Sequence, residues 1–338
     1  MLVRDSHLIL DPAGRDSRLR TALEDLALGR FSSTRDLLRS TGADWGLWTS
    51  RSQVLALGSG APGAVKAWLD EEPRSLDALV MWCRVLTRQA VLAWRKGDAA
   101  LAAQARETAR SACFRAVEVF PACPVPWLCL LDLAKLPGSL ADLDPYAWHR
   151  PRDWVVPPDL LFEAGPWALL YQVEHLHPGN REALHRMREY IDARWSMTSV
   201  DFARWVASRA TAGSVAYVLP LYAFVTEYQG RRAAGQETAV AYWKTGQVRH
   251  HARQARDLWF RQIPVPERER LSLLDLNHLA FVLSACGEEG VPEVFAAIGR
   301  HATAEPWSTI STSLGRTSWQ AEYLMARSAC RPRGHRRT

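Results

Sequence analysis

The residues best suited to chemistry fall in four short stretches. Glu174, His175 and His177, with His185 beyond a turn, bring imidazoles and a carboxylate close in sequence. A helical zinc site wants ligands on one face, as in H-E-x-x-H. Here His175 and His177 flank Leu176, so their rings diverge, and histidine at a helix end favours the dipole. The spacing predicts capping, and no metal is expected. Asp275, Asn277 and His278 lie in LLDLNHLAFVL, an otherwise apolar helix. Asp275 and His278 share a face at i, i+3 and could form an Asp–His pair in a ligand groove or an enzymatic pocket. Polar groups in such a helix must be hydrogen-bonded when buried, so an internal clamp is the favoured expectation. Arg249, Arg253 and Arg256 run at i, i+4 and i+7, a row of forked donors suited to carboxylates or phosphates. Bordering a groove, the row would receive an acidic partner; bordering another helix, it would meet Asp or Glu. Arg181 follows HPGN, where Asn180 caps a helix and exposed amides could hold an anion. No G-x-S-x-G or kinase set occurs, so no catalytic residue and no cofactor is assigned.

These residues need helices to position them. Apolar spacing predicts helices over 16–29, 32–39, 44–57, 62–71 and 75–95, with short turns such as GSGAPG and EEP. Further helices are predicted over 160–173, 181–195, 200–210, 216–228, 238–260, 271–285, 292–300 and 318–328. Thr198 and Asp201 read as a capping box opening the third of these. The stripe Val248, Ala252, Ala255 and Trp259 makes 238–260 the longest. No segment alternates as a strand does, so the fold class is all-α. Between 137 and 158, five prolines forbid a continuous helix, yet Tyr146, Trp148 and Trp154 are too apolar for a free linker. An ordered crossover is expected there, dividing 1–136 from 159–330.

The 338 residues carry a formal net charge of +6. Arg331, Arg333, Arg336 and Arg337 belong to the terminal RPRGHRRT; removing those four charges from +6 leaves +2 for residues 1–330. The body is thus nearly neutral, and 331–338 reads as a basic disordered tail. A nucleic-acid partner, drawn by tail and arginine row, is the less favoured expectation. Fifteen tryptophans suit wide helix–helix seams. Six cysteines without a CxxC pair, and no apolar run long enough for a signal peptide or a membrane span, predict a cytoplasmic protein.

Ala109, Cys113, Ala116 and Pro121, followed by Trp127, resemble the close of a tetratricopeptide unit and the opening of the next. Gly97 lies 34 residues before Leu131, the period of that repeat. The likeness is partial: Ala93, Lys96 and Ala100 stand at the Trp, Leu and Tyr places, and Leu131 and Ala134 at the next Gly and Tyr. GPWALLYQVEHLHPGNREALHRM (165–187) and LDLNHLAFVLSACGEEGVPEVFAAIG (274–299) resemble segments of uncharacterised helical-repeat proteins of actinomycete type. The resemblance implies an α-solenoid of stacked helical hairpins with no established reaction. The resulting expectation is a protein- or peptide-binding module of scaffold or regulatory role.

Overall fold

The computed structural model describes residues 8–146, 156–195 and 199–329, the side chains of 237–240 excepted. Among them the chain is helical throughout, with no strand; an isolated parallel bridge joins Ile9 to His301. Two compact units form, Arg15–Met197 and Met1–Gly14 with Thr198–Thr338. The division expected across 137–158 is therefore corrected. The physical reason is a central helix that packs on neighbours from both sides of the proline-rich stretch. Residues 147–155, with Trp148 and Trp154, and the tail at 331–338 lie outside the described residues.

The Arg15–Met197 unit holds α1 (Ser17–Ala27), α2 (Ser32–Thr41), α3 (Trp45–Leu55), α4 (Ala61–Glu71), α5 (Leu76–Arg95), α6 (Ala99–Val119), α7 (Val125–Leu133), α8 (Trp167–Leu176) and α9 (Arg181–Arg194). Asp16, Asp44, Ser75, Asp98 and Asn180 each accept a bond from the amide three residues on. Such caps satisfy otherwise orphaned donors and contribute about 1 kcal/mol each. Helix α7, VPWLCLLDL, is buried at every position. A helix apolar all round belongs at the centre, and α7 packs against α5, α6, α8 and α9. The helix expected over 160–173 instead starts at Trp167. Pro166 supplies no amide and keeps Gly165 from helical geometry.

Small residues let α5 and α6 approach closely: Ala109, Cys113 and Ala116 are wholly buried, with Trp127 of α7 almost so. Ala109→Leu should overpack this seam and cost about 1–3 kcal/mol. Urea denaturation checks it, and an unchanged midpoint would show that the seam yields freely.

The second unit holds α10 (Val200–Ser208), α11 (Leu219–Ala233), α12 (Gly246–Gln254), α13 (Leu273–Cys286), α14 (Val291–Ile298), α15 (Trp307–Ser313) and α16 (Trp319–Ala329). Ser199, at the start of α10, makes no side-chain cap bond, and Thr198 lies outside the described residues. The long helix expected over 238–260 is broken. A 3-10 segment, Glu237–Lys244, ends at extended Thr245; α12 follows, then a π turn over Ala255–Trp259. Gly246 is a poor helix former, which weakens continuity at that junction. The N-terminal residues join this unit: the Ile9 amide donates to Arg300 O at 2.9 Å, and the Ala302 amide to Ile9 O at 3.2 Å.

Candidate functional site

Helix α5 is largely apolar, yet Arg84, Thr87, Arg88, Val91 and Arg95 line up along it at i, i+3, i+4, i+7 and i+11. The row faces Gln53, Ala56 and Leu57 at the end of α3, Asp132 and Lys135 at the end of α7, and Arg186 of α9. Together they line a cleft of about 160 Å³.

Its floor is a network of charges closed into a ring by Arg186, Glu189, Lys135 and Asp132, with Glu182 and Arg84 joined to it through Arg186. Arg84 donates to both oxygens of Glu182, at 2.6 and 2.7 Å, and its Nε to Ser52 Oγ at 3.2 Å. Arg186 donates to Glu182 at 3.0 and 3.1 Å and to Glu189 at 3.1 Å. Lys135 Nζ lies 2.5 Å from Asp132 and 2.7 Å from Glu189. Asp132 Oδ1 also stands 3.3 Å from Arg186, held by charge without an aligned hydrogen bond. Three cations thus meet three carboxylates. Burial alone would push the Glu182 carboxyl up, but Arg84 and Arg186 outweigh it and hold it below the ordinary 4.5. Glu189 is likewise depressed, burial being outweighed by Arg186 and Lys135.

A carboxyl depressed on folding contributes stability that is present above the ordinary 4.5 and lost as pH falls through the depressed value. The unit should therefore keep its melting temperature down to about pH 5 and lose it steeply below about pH 4. Glu182→Gln should flatten that acid limb; an equally steep limb in the variant would contradict the assignment.

Arg88 and Arg95 are outside the ring. Arg88 is half-buried and Arg95 exposed, and neither has an ion-pair or hydrogen-bond partner among the described residues. Burial pushes the Arg88 guanidinium below its ordinary value, and Arg95 and Arg186 push the same way, against a pull from Asp132. Thr87, buried on the same wall, leaves its hydroxyl without a hydrogen bond.

The residues singled out from sequence stand elsewhere. Arg249 and Arg253 both close on Glu288, each Nε at 2.8 Å. Hydrogen bonds from Arg253 and Arg249 overcome partial burial and hold that carboxyl at about 2. Arg256 pairs with Asp257 at 2.7 Å and donates to Glu289 O at 3.2 Å. The row borders the GEEG turn after α13 and meets Glu288, Asp257 and Glu289, the second of the two fates expected of it. Gly290 takes φ +89, and a Cβ there would come within 2.7 Å of Arg256 Cδ. His251, beside them in sequence, is buried against Phe224 at 5.8 Å; burial lowers its pKa to about 4, so it adds no charge at neutral pH.

Asp275, Asn277 and His278 are all buried. Tyr222 donates its hydroxyl to Asp275 at 2.5 Å and stacks on the His278 ring at 3.5 Å. Asn277 donates to Leu273 O at 2.7 Å and accepts from Trp307 Nε1 at 2.9 Å. His278 Nδ1 bonds Leu274 O at 2.9 Å. The three act as a clamp within α11, α13 and α15. At Arg181, Asn180 Oδ1 already accepts the Ala183 amide at 3.0 Å, and Arg181 itself is engaged. His177 Nδ1 bonds Asn180 Nδ2 at 2.9 Å, fastening the turn between α8 and α9. No group of three or more His, Cys, Asp or Glu among the described residues could hold a metal ion. No described helix is long and apolar enough to cross a membrane.

The cleft was not visible in the sequence. Its signal was Arg84 and Arg88 inside LDALVMWCRVLTRQAVLAWR, two cations on a helix that must be buried. Against known protein families, curated proteins and solved structures, the chain finds no match.

Proposed function

We propose that the chain is a non-catalytic helical module that binds an acidic protein or peptide segment in the cleft between α3, α5, α7 and α9. The observation that carries this reading is Arg88, half-buried with Arg95 over a ring already neutral in itself. A partly desolvated cation whose nearby carboxylate, Asp132, is already shared by Lys135 and Arg186 is costly, and an anionic side chain would relieve it. The cleft is small beside the roughly 300–1,000 Å³ of ordinary ligand pockets, which favours one functional group of a larger partner.

A tetratricopeptide-like stacking of hairpins belongs to the same proposal. The burial of Ala109, Ala116 and Trp127 where α5, α6 and α7 meet supports it. So does a scaffold or regulatory role in the cytoplasm, for which the free thiols of Cys83, Cys113, Cys123, Cys129 and Cys286 fit a reducing compartment. The nucleic-acid and enzymatic expectations gain no support from Arg249, Arg253, Asp275 or His278, whose polar groups already have partners.

Fluorescence anisotropy with a labelled Glu-rich peptide tests the reading on the full chain. Binding should weaken with salt. It should fall at least tenfold in Arg88→Ala or Arg95→Ala, with an unchanged melting temperature. Equal binding by both variants would overturn it.

A further inference from the structure

The ring beneath the cleft fixes what is left for a ligand. Its three cations and three carboxylates satisfy one another, so Arg84 and Arg186 are held in place as a floor. Arg88 and Arg95 then supply two positive charges with no partner among the described residues. Two turns apart on α5, they stand about 10.5 Å apart along the axis, within reach of one group approached from both sides. A carboxylate brings a single negative charge and would leave one guanidinium uncompensated. A phosphate monoester brings about −1.5 to −2 and three acceptor oxygens, matching two forked donors.

We infer that the anionic group this cleft selects is a phosphate monoester, carried on a phosphorylated side chain of the partner. The inference rests on the acidic-partner reading and narrows its chemistry. Because the five donors of each guanidinium are planar and forked, lysine in their place should bind less selectively. Ionic strength should also weaken the phosphorylated ligand more than the carboxylate, since a dianion is screened more strongly.

The test uses the full chain and three labelled peptides of one neutral sequence, with phosphoserine, glutamate or serine at the centre. Inorganic phosphate serves as competitor. The phosphoserine peptide should bind roughly tenfold or more tightly than the glutamate peptide, and the serine peptide should bind weakest. Arg88→Lys and Arg95→Gln should each erase most of that preference while the melting temperature stays constant. Inorganic phosphate should compete only at millimolar concentration. Equal affinity for phosphoserine and glutamate would overturn the phosphate inference and leave the acidic-partner reading standing. Binding of none of the peptides, or binding indifferent to both substitutions, would overturn the two together. Inorganic phosphate that binds as tightly as the phosphopeptide would overturn the peptide-borne source and assign the cleft to the free anion.

Discussion

Glu182→Ala is expected to cost about 3–5 kcal/mol. Glu182 is almost wholly buried and takes both prongs of Arg84 as well as two bonds from Arg186. Removing it leaves two cations in a low-dielectric interior with one carboxylate fewer. Neither can discard its proton, because a guanidinium stays charged across the accessible pH range. Urea denaturation of the Arg15–Met197 unit measures the loss. Glu182→Gln should recover part of it by keeping the acceptor while removing the charge. A cost below about 1 kcal/mol in the alanine variant would mean that the ring adds little to stability.

Trp307→Ala should cost the other unit about 3–5 kcal/mol, through the cavity it leaves. The indole is almost fully buried and meets Phe281 at 5.4 Å and Tyr323 at 5.5 Å, both edge to face. Its Nε1 is also the donor that satisfies Asn277 Oδ1. The variant therefore loses packing and strands a buried acceptor together. Trp307→Phe separates the two, since it keeps much of the ring volume and removes only the donor. If the phenylalanine variant were as unstable as the alanine variant, the hydrogen bond rather than the volume would dominate.

The helices were legible where period and punctuation agreed. Ser75 opens α5 as expected over 75–95, whereas α6 and α7 were expected only as the close of one repeat unit and the opening of the next. Asn277 and His278 could be placed as an internal clamp because polar groups in so apolar a helix have few other fates. The arginine row was legible as a row, and pairing with Asp or Glu was one of its two expected fates, but the partner was not legible. Glu288 lies 35 residues beyond Arg253, on a turn whose path only the folded chain defines. The break of the 238–260 helix into 3-10, α and π segments has no strong breaker apart from Gly246 to signal it. The cleft was the least visible. Gln53, Arg88, Asp132 and Arg186 come from four helices separated by long stretches of chain, and no local spacing relates them.

The bridge from Ile9 to His301 has a consequence for the order in which the protein can finish folding during synthesis. Residues 8–14 leave the ribosome well before their partners at Arg300 and Ala302 are made. The intervening Arg15–Met197 unit has its own core and can close while translation continues. The early segment must wait with its backbone groups solvated until α14 and the turn beyond it emerge. An amide-exchange pulse on stalled nascent chains should therefore find Leu79 of α5 protected while Ile9 still exchanges freely. Protection at Ile9 should arrive only after residue 302 has cleared the exit tunnel.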